Sequence, residues 1–201
     1  MPTTDLPSMT VLDAIYRRRA TRAFMPAPID EPTIRELLRA AVHAPTAMHL
    51  EPWAFVVVQD RALLKKLSDR AKLVVAPQGD PHRELSRAAE APHLPAILTD
   101  PAFNIFYDAG TLIVICGRPM GPFVQADCWL AAENLMLAAT AFGLATCPIG
   151  FALAALGDRE VKAELGIPSD ITPIAPIIVG MAATVPPPTT RQEPRILSWK
   201  K

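Results

Sequence analysis

The feature that most constrains the fold is an apolar stretch that runs from residue 126 to residue 145. It contains three polar side chains, Asp127, Glu133 and Asn134, which a bilayer would bury at a cost of several kcal/mol each. The pattern therefore predicts a core helix over 122–142 rather than a membrane span. A helix that is apolar on nearly all sides needs other elements packed against most of its faces.

The remaining patterns predict four buried strands and several amphipathic helices. The strands are expected at 53–59, 111–117, 145–149 and 174–181. The further helices are expected from Thr10 to near Ala20, from Asp30 to before Pro45, and over 60–72, 83–91 and 158–165. A Pro-rich tail follows, whose Ile196, Leu197 and Trp199 predict burial against another surface. These residues alone leave α/β and α+β open for a single domain of 201 residues.

Composition excludes several classes of function. The 20 basic and 20 acidic residues give a net charge of zero, which argues against a general nucleic-acid binder. The three cysteines have neither disulfide nor metal-ligand spacing, which predicts a reducing compartment, the cytoplasm, and no metal site. No Rossmann glycine motif and no P-loop are present, and the first residues lack the pattern of a secretory signal.

The densest charged feature is a group of four arginines within six residues, Arg17 to Arg22. Guanidinium groups bind phosphate through paired hydrogen bonds, so one hypothesis is a phosphate clamp. The alternative is a solvated helix end whose cations complement the helix dipole. A patch for polyanions is a third, less favoured hypothesis.

Two loops add candidate contacts for a ligand. In the segment 44–53, His49 and Glu51 lie between two prolines and ahead of a strand. In the segment 143–150, the backbone at Gly150 could approach a flat ligand closely. Considered singly, the segment 44–53 is also explained by a loop histidine that only makes structural hydrogen bonds, and the segment 143–150 by an ordinary turn.

In their order and spacing, these segments resemble the FMN-dependent nitroreductase family from about Thr10 to the C-terminus. The family motif R-R-S-x-R-x-F corresponds to residues 18–24, and A-P-S-x-x-N-x-Q-P-W corresponds to residues 44–53. The motif G-L-x-x-C-x-I-G corresponds to residues 143–150. Further matches are the strand at 108–116, E-L-G-I-P at 164–168, I-I-V-G at 177–180 and a basic residue in the tail, Arg191.

The resemblance implies an α+β fold, a three-layer sandwich in which helices flank a mostly antiparallel sheet. It implies an intertwined homodimer with an exchanged C-terminal tail, 184–201, and active sites at the interface. It also assigns residues 76–107 to a variable pocket or lid.

The resemblance also implies which residues bind FMN. The arginines would grip the phosphate and ribityl chain, the loop would contact the ribityl and pyrimidine edge from the other subunit, and 148–150 would lie along the isoalloxazine. The implied cofactor-binding residues are Arg18, Arg19, Ala20, Arg22, Pro45, Thr46, Ala47, His49, Glu51, Pro148, Ile149, Gly150 and Arg191, with Arg195 as a substitute for Arg191. No catalytic acid–base residue is implied.

Three positions depart from the family pattern. Ala20 replaces serine, which removes a hydroxyl, while His49 replaces asparagine and Glu51 replaces glutamine. An ionised glutamate cannot donate a hydrogen bond. These changes bear on flavin electronics and on substrate choice.

The implied activity is the reduction of nitroaromatics, quinones or related electron-poor small molecules by NAD(P)H, in two hydride steps through the flavin. The alternatives are reductive dehalogenation or other flavin chemistry on the same scaffold, and a non-catalytic FMN-binding protein. Neither a nucleic-acid partner nor a membrane is expected.

Overall fold

A computed structural model describes residues 9–75 and 100–201 of the chain. The expected helix at 83–91 and most of the expected lid at 76–107 lie outside those ranges. The described helices are α1 Val11–Arg17, α2 Glu31–Ala41, α3 Arg61–Val75, α4 Val124–Ala141, α5 Ala152–Leu156 and α6 Arg159–Glu164. The strands are β1 Trp53–Val58, β2 Thr111–Gly117, β3 Ala145–Pro148 and β4 Thr172–Gly180.

Helix ends follow from local side-chain chemistry. Thr10 and Asp13 form the predicted capping box at the start of α1, and Asp30 accepts a hydrogen bond from the Thr33 amide at the start of α2. Gly143 ends α4 with a φ of 74°. The amide of Gly143 donates to the Thr140 carbonyl and that of Leu144 to the Ala139 carbonyl, which is a Schellman motif.

The four strands form one sheet in the order β1-β2-β4-β3, and all three pairings are antiparallel. β4 lies in the interior of the sheet although it contains Pro173 and Pro176. The register with β2 shifts at Ile115 and Cys116, so that Ile174 is skipped. This bulge absorbs the extra residue next to Pro173, and a bulge is one of the places in a sheet where proline is tolerated.

Helices cover both faces of the sheet, which confirms the three-layer α+β prediction. Leu112, Val114 and Ile178 point to one face and pack with α3, α5 and α6. Ile113 and Ile177 point to the other face and pack with α2 and α4. Because β2 is buried on both faces, its sequence is a continuous apolar run rather than an alternating one.

The long apolar helix is confirmed as α4, and one side of it is fully buried. Its buried residues are Asp127, Cys128, Ala131, Ala132, Leu135, Met136 and Ala139. Trp129 and Leu130 remain 37% and 45% exposed, so the predicted burial on most faces is incomplete in a single chain. In the described part of the chain, no helix is long and apolar enough to cross a membrane.

Three elements differ from the prediction. α1 ends at Arg17 rather than near Ala20, because the chain becomes extended at Arg18. α5 was not predicted, since Ala152–Leu156 is too short to show a helical period. α3 continues to Val75, three residues beyond its expected end.

Replacing Gly110 by alanine should destabilise the fold. A Cβ there would lie 2.5 Å from the Ala27 carbonyl carbon and 2.6 Å from the Pro28 nitrogen, both backbone atoms. We expect Gly110→Ala to lower the free energy of unfolding by about 1–3 kcal/mol, measured by urea denaturation, because overpacking strains the backbone. The control is Gly150→Ala, whose Cβ would meet nothing within 4 Å. Equal effects of the two substitutions would contradict this explanation.

The three cysteines are free and buried. Burial raises the pKa of Cys116 to about 11 and the pKa of Cys128 to about 12. Burial also raises the pKa of Cys147, while Arg22 and Arg18 act in the opposite direction. All three groups are therefore protonated thiols at neutral pH, which makes them poor nucleophiles.

We expect a thiol reagent to label none of the three cysteines in the folded protein and all of them in urea.

The raised pKa values of the thiols also predict a loss of stability at alkaline pH. The unfolded chain releases its thiol protons first, so the free energy of unfolding falls as pH rises from 9.0 towards the folded value of about 11 for Cys116. A urea midpoint that stays constant or rises through that window would contradict the assignment.

Candidate functional site

The arginine segment lies along the free edge of the sheet. Ala20 pairs with Thr146 of β3 in a parallel bridge, and the Thr21 amide donates to the Thr146 carbonyl at 3.0 Å. β3 is an edge strand, and an uncovered edge exposes unpaired backbone groups. Covering that edge places Arg18, Arg19 and Arg22 beside β3.

The three arginines have different partners. The Arg18 Nε lies 3.6 Å from the Glu133 Oε1 on α4. The Arg19 Nη1 donates to the carbonyls of Tyr16, at 2.5 Å, and of Arg18, at 2.9 Å. Arg19 thus complements the C-terminal carbonyls of α1, as the helix-end hypothesis predicts.

Arg22 is exposed and lies against Tyr107, the last residue of the segment 76–107 that was assigned to a pocket or lid, although Tyr107 itself was not singled out. Burial raises the pKa of the Tyr107 phenol, and the charge of Arg22 and a hydrogen bond from it act in the opposite direction. Phe103 supports the Tyr107 ring edge-on, with 5.6 Å between centroids. A cavity of about 360 Å³ borders Arg22 and this ring pair.

The segment that carries Tyr107 is tied to α3. The Lys72 Nζ donates to the Phe103 carbonyl at 2.7 Å, and the Ile105 amide donates to the buried Ser68 Oγ at 3.0 Å. Tyr107 has a φ of 50°, a conformation that L-residues adopt at a cost of roughly 1–3 kcal/mol. The two ties to α3 help to hold this strained residue in place.

The backbone from Pro148 to Gly150 continues this edge. The bridge between Ala20 and Thr146 is parallel, so Arg22 follows in the direction of Pro148, and the charge of Arg22 acts on the neighbouring Cys147. The Ile149 amide donates to the Pro176 carbonyl at 2.8 Å, which fixes the strand end. Gly150 is exposed, and the volume where a Cβ would stand is free of atoms within 4 Å.

Ala20 stands at this edge where the family motif has serine, so the serine hydroxyl is missing here. The Thr146 Oγ1 next to it is buried and has no hydrogen-bond partner among the described residues. The pairing thus leaves a hydroxyl uncommitted beside Ala20.

The loop ahead of β1 has a strained backbone. Ala47–His49 forms a 3₁₀ turn, and φ is 56° at Met48, 54° at His49 and 45° at Glu51. The side chains of these three residues are exposed, as is Pro45, while Thr46 is half-buried. Strain of this kind is concentrated at functional sites, where the surroundings hold it in place.

The loop and the arginine segment are far apart in one chain. Pro148, Ile177, Ile113 and Val57 share a row across the sheet, and Trp53 lies four residues along β1 from Val57. With strands about 4.8 Å apart and a rise of about 3.3 Å per residue, Trp53 is roughly 20 Å from Pro148. A single chain thus brings 18–22 and 148–150 together but does not bring the loop to them.

The tail leaves the body of the chain after Ala183, whose amide donates to the Ala23 carbonyl at 2.9 Å. Arg191 and Arg195 are exposed, and neither forms an ion pair within the described residues. Leu197 and Trp199 are 85% and 73% exposed. The predicted burial of the tail is therefore absent from a single chain, and the assignment of Arg191 stays a prediction.

Comparison with known proteins agrees with this architecture. The model of the Nitroreductase family matches residues 15–181. The nitroreductase NfnB of Mycolicibacterium smegmatis is 31% identical over 195 residues, which span 83% of this chain and 80% of that protein. An NADH dehydrogenase of Thermus thermophilus is 26% identical over 207 residues, which span 97% of this chain and 98% of that protein.

Among solved structures, a nitroreductase with bound FMN from Bacteroides fragilis superposes with a TM-score of 0.79 at 27% identity. The match covers 96% of this chain and 100% of the other. The family match spans most of the chain, including the arginine segment, the strained loop and the β3 edge, and the solved structure shares its fold. On this evidence the chain belongs to the nitroreductase family of oxidoreductases.

Proposed function

We propose that this protein binds FMN and uses it to reduce electron-poor small molecules, such as nitroaromatics or quinones, at the expense of NAD(P)H. One observation carries the proposal: Arg18 and Arg22 lie along the same sheet edge as the open backbone at Gly150. Cations for a phosphate and free space for a flat ring thus occur side by side. The B. fragilis relative with bound FMN supports the same cofactor.

The chemistry of the edge fits FMN. Arg22 is exposed, and its guanidinium can bind a phosphate through paired hydrogen bonds. Pro148 is half-buried and offers apolar surface, whereas the Ile149 side chain packs into the core and leaves only its backbone at the edge. Gly150 lets the backbone approach a planar ring because no side chain intervenes. Arg19 donates to backbone carbonyls already, so its contribution to the clamp is an added positive charge.

When bound, FMN would supply the hydride chemistry between NAD(P)H and the acceptor. The residues of the chain would bind and orient FMN. The arginines would hold its phosphate end, and the strand end beside its ring is fixed by the bond from the Ile149 amide to the Pro176 carbonyl. No side chain is assigned to proton transfer. A nicotinamide that only visits the cofactor also needs no dinucleotide-binding motif of its own.

The site is proposed to be completed by a second copy of the chain. The loop with His49 and Glu51 leads into Trp53, which lies roughly 20 Å from Pro148 in one chain, so the loop would serve the site of a partner. α1 exposes Val11, Leu12, Ile15 and Tyr16, and α4 exposes Trp129 and Leu130. An exposed apolar surface of this kind marks an interaction site. The tail 184–201 would pack on the same partner and bring Arg191 to its cofactor.

The activity is tested by anaerobic titration of the yellow protein. NADH or NADPH should bleach the flavin absorbance, and a nitroaromatic, a quinone or an activated enone should restore it. Flavin that neither nucleotide bleaches would identify a non-catalytic FMN-binding protein. Restoration by a halogenated phenol alone would favour reductive dehalogenation. Protein that neither contains nor takes up FMN would refute the proposal.

The shared site is tested with mixed dimers. Alone, Arg22→Ala should weaken FMN binding by roughly tenfold or more, since a charge-assisted hydrogen bond contributes about 1.5–3 kcal/mol. Arg159→Ala removes an exposed arginine at α6 and serves as the control. One tagged chain then carries Arg22→Ala, and the other carries His49→Ala with Glu51→Ala.

In a site shared between chains, the mixed dimer has one site with every substitution and one intact site. Half of its FMN should therefore bind with wild-type affinity. If each chain instead built its own site, both sites would be impaired and no wild-type fraction would remain. The fraction is measured by FMN release on dilution, followed through flavin fluorescence.

A further inference from the structure

Three polar side chains of α4 bond outside their own helix: Asp127, Glu133 and Asn134. Glu133 pairs with Arg18, and the Asn134 Nδ2 donates to the Ala40 carbonyl at 3.2 Å. Asp127 is the most buried of the three, with 4% of its surface exposed. Its Oδ1 accepts a hydrogen bond from the Ala47 amide, 80 residues away in the sequence, at 3.1 Å.

Capping of α4 does not explain Asp127. The helix begins after Phe123, and no side chain caps that end. The amide of Asp127 donates to the Phe123 carbonyl as an ordinary helical bond. The Asp127 carboxylate instead points to the loop that precedes β1.

The bonded amide belongs to Ala47, the first residue of the strained turn. Met48 and His49 follow Ala47 with left-handed φ values, and Glu51 has a φ of 45°. The Met48 side chain is 82% exposed, so its packing does not fix this backbone. At the other end of the turn, the Arg118 Nη2 donates to the Glu51 carbonyl at 2.6 Å, and the Arg118 amide donates to the Pro52 carbonyl at 2.8 Å.

Two elements outside the loop therefore hold its backbone, one at each end. Arg118 is exposed, whereas the bond of Asp127 lies in a less hydrated setting, where hydrogen bonds are stronger. A carboxylate offers only acceptors, so it selects the amide of Ala47 without competing donors of its own.

We propose that Asp127 is a positioning residue for the cofactor site. Its carboxylate fixes the backbone at Ala47, and the strained turn then presents His49 and Glu51 to the cofactor of the partner subunit. This role rests on the proposed function, because it acts through the loop and not through direct contact with FMN.

The test compares variants that break the bond from either side. Asp127→Ala removes the acceptor, and Ala47→Pro removes the donor while leaving Asp127 in place. Proline suits position 47, because Thr46 before it is extended, with φ −128° and ψ 148°, and position 47 opens the turn. Asp127→Asn keeps an oxygen acceptor for the same amide. The control is Gln59→Ala, which removes hydrogen bonds to Ile29 and Thr111 at the opposite end of β1.

Two quantities are measured on the full-length protein: amide exchange over residues 47–51 and FMN release on dilution. We expect Asp127→Ala to accelerate exchange and to weaken FMN binding by about tenfold, the usual size for one lost hydrogen bond of this kind. Ala47→Pro should weaken FMN binding similarly, and the double variant should be no worse than either single one. Asp127→Asn should restore most of the affinity, and Gln59→Ala should change neither quantity.

Additive effects of Asp127→Ala and Ala47→Pro on FMN release would overturn the proposal, because they would show that the two residues act independently. Unchanged loop exchange in Asp127→Ala would overturn it as well. If Asp127→Ala does not fold, an Ala47→Pro variant that binds FMN with wild-type affinity would overturn the proposal instead. A wild-type protein without FMN affinity would refute the proposed function, while the exchange data would still decide whether Asp127 anchors the loop.

Discussion

Burial of α4 against the sheet is the constraint on which the candidate site depends. Alanines line much of its buried side, so the helix can approach β2 and β4 closely. A polar side chain on such a helix must find a partner, since an unsatisfied buried group costs about 1–3 kcal/mol or more. Asp127 reaches the loop ahead of β1, Asn134 reaches the end of α2, and Glu133 reaches Arg18. One helix thereby sets the positions of two segments that lie far apart from each other.

The edge of the sheet explains why the arginines are where they are. A strand as short as β3 would otherwise expose its outer backbone groups, and residues 20 and 21 cover them. Further along, the Met25 amide donates to the Met181 carbonyl and the Ala183 amide donates to the Ala23 carbonyl. These bonds continue the cover past the end of β4. In an extended segment, successive side chains point in opposite directions. Thr21 is accordingly buried while Arg22 faces solvent.

Local chemistry made much of the fold predictable from the sequence. The capping box at Thr10, the cap at Asp30 and the glycine after α4 each bond within a few residues, so short patterns suffice to indicate them. The apolar runs at Trp53–Val58 and Thr111–Gly117 likewise predict the strands β1 and β2. α5 was missed because five residues, three of them alanine, carry too little periodicity.

The long-range contacts of the site could not be predicted in the same way. Tyr107 lies beside Arg22 through ties to α3, and no pattern around residue 107 indicates those ties. Asp127 was visible as an anomaly in an apolar helix, but its partner is 80 residues away. The resemblance to a family assigned the binding segments by position. The structure adds that two of them share one edge and that the third lies elsewhere in the same chain.

This separation couples cofactor binding to association in the proposed dimer. α1 buries only Ala14 among its apolar residues, while Val11, Leu12, Ile15 and Tyr16 remain at its surface. A helix of seven residues is not stable by itself and depends on packing. The same helix leads directly into Arg18 and Arg22, so a partner that covered α1 would also order the segment that carries the proposed phosphate clamp. Linkage requires the reciprocal effect: FMN bound by groups from two chains must stabilise the pair by the same free energy by which pairing strengthens its binding.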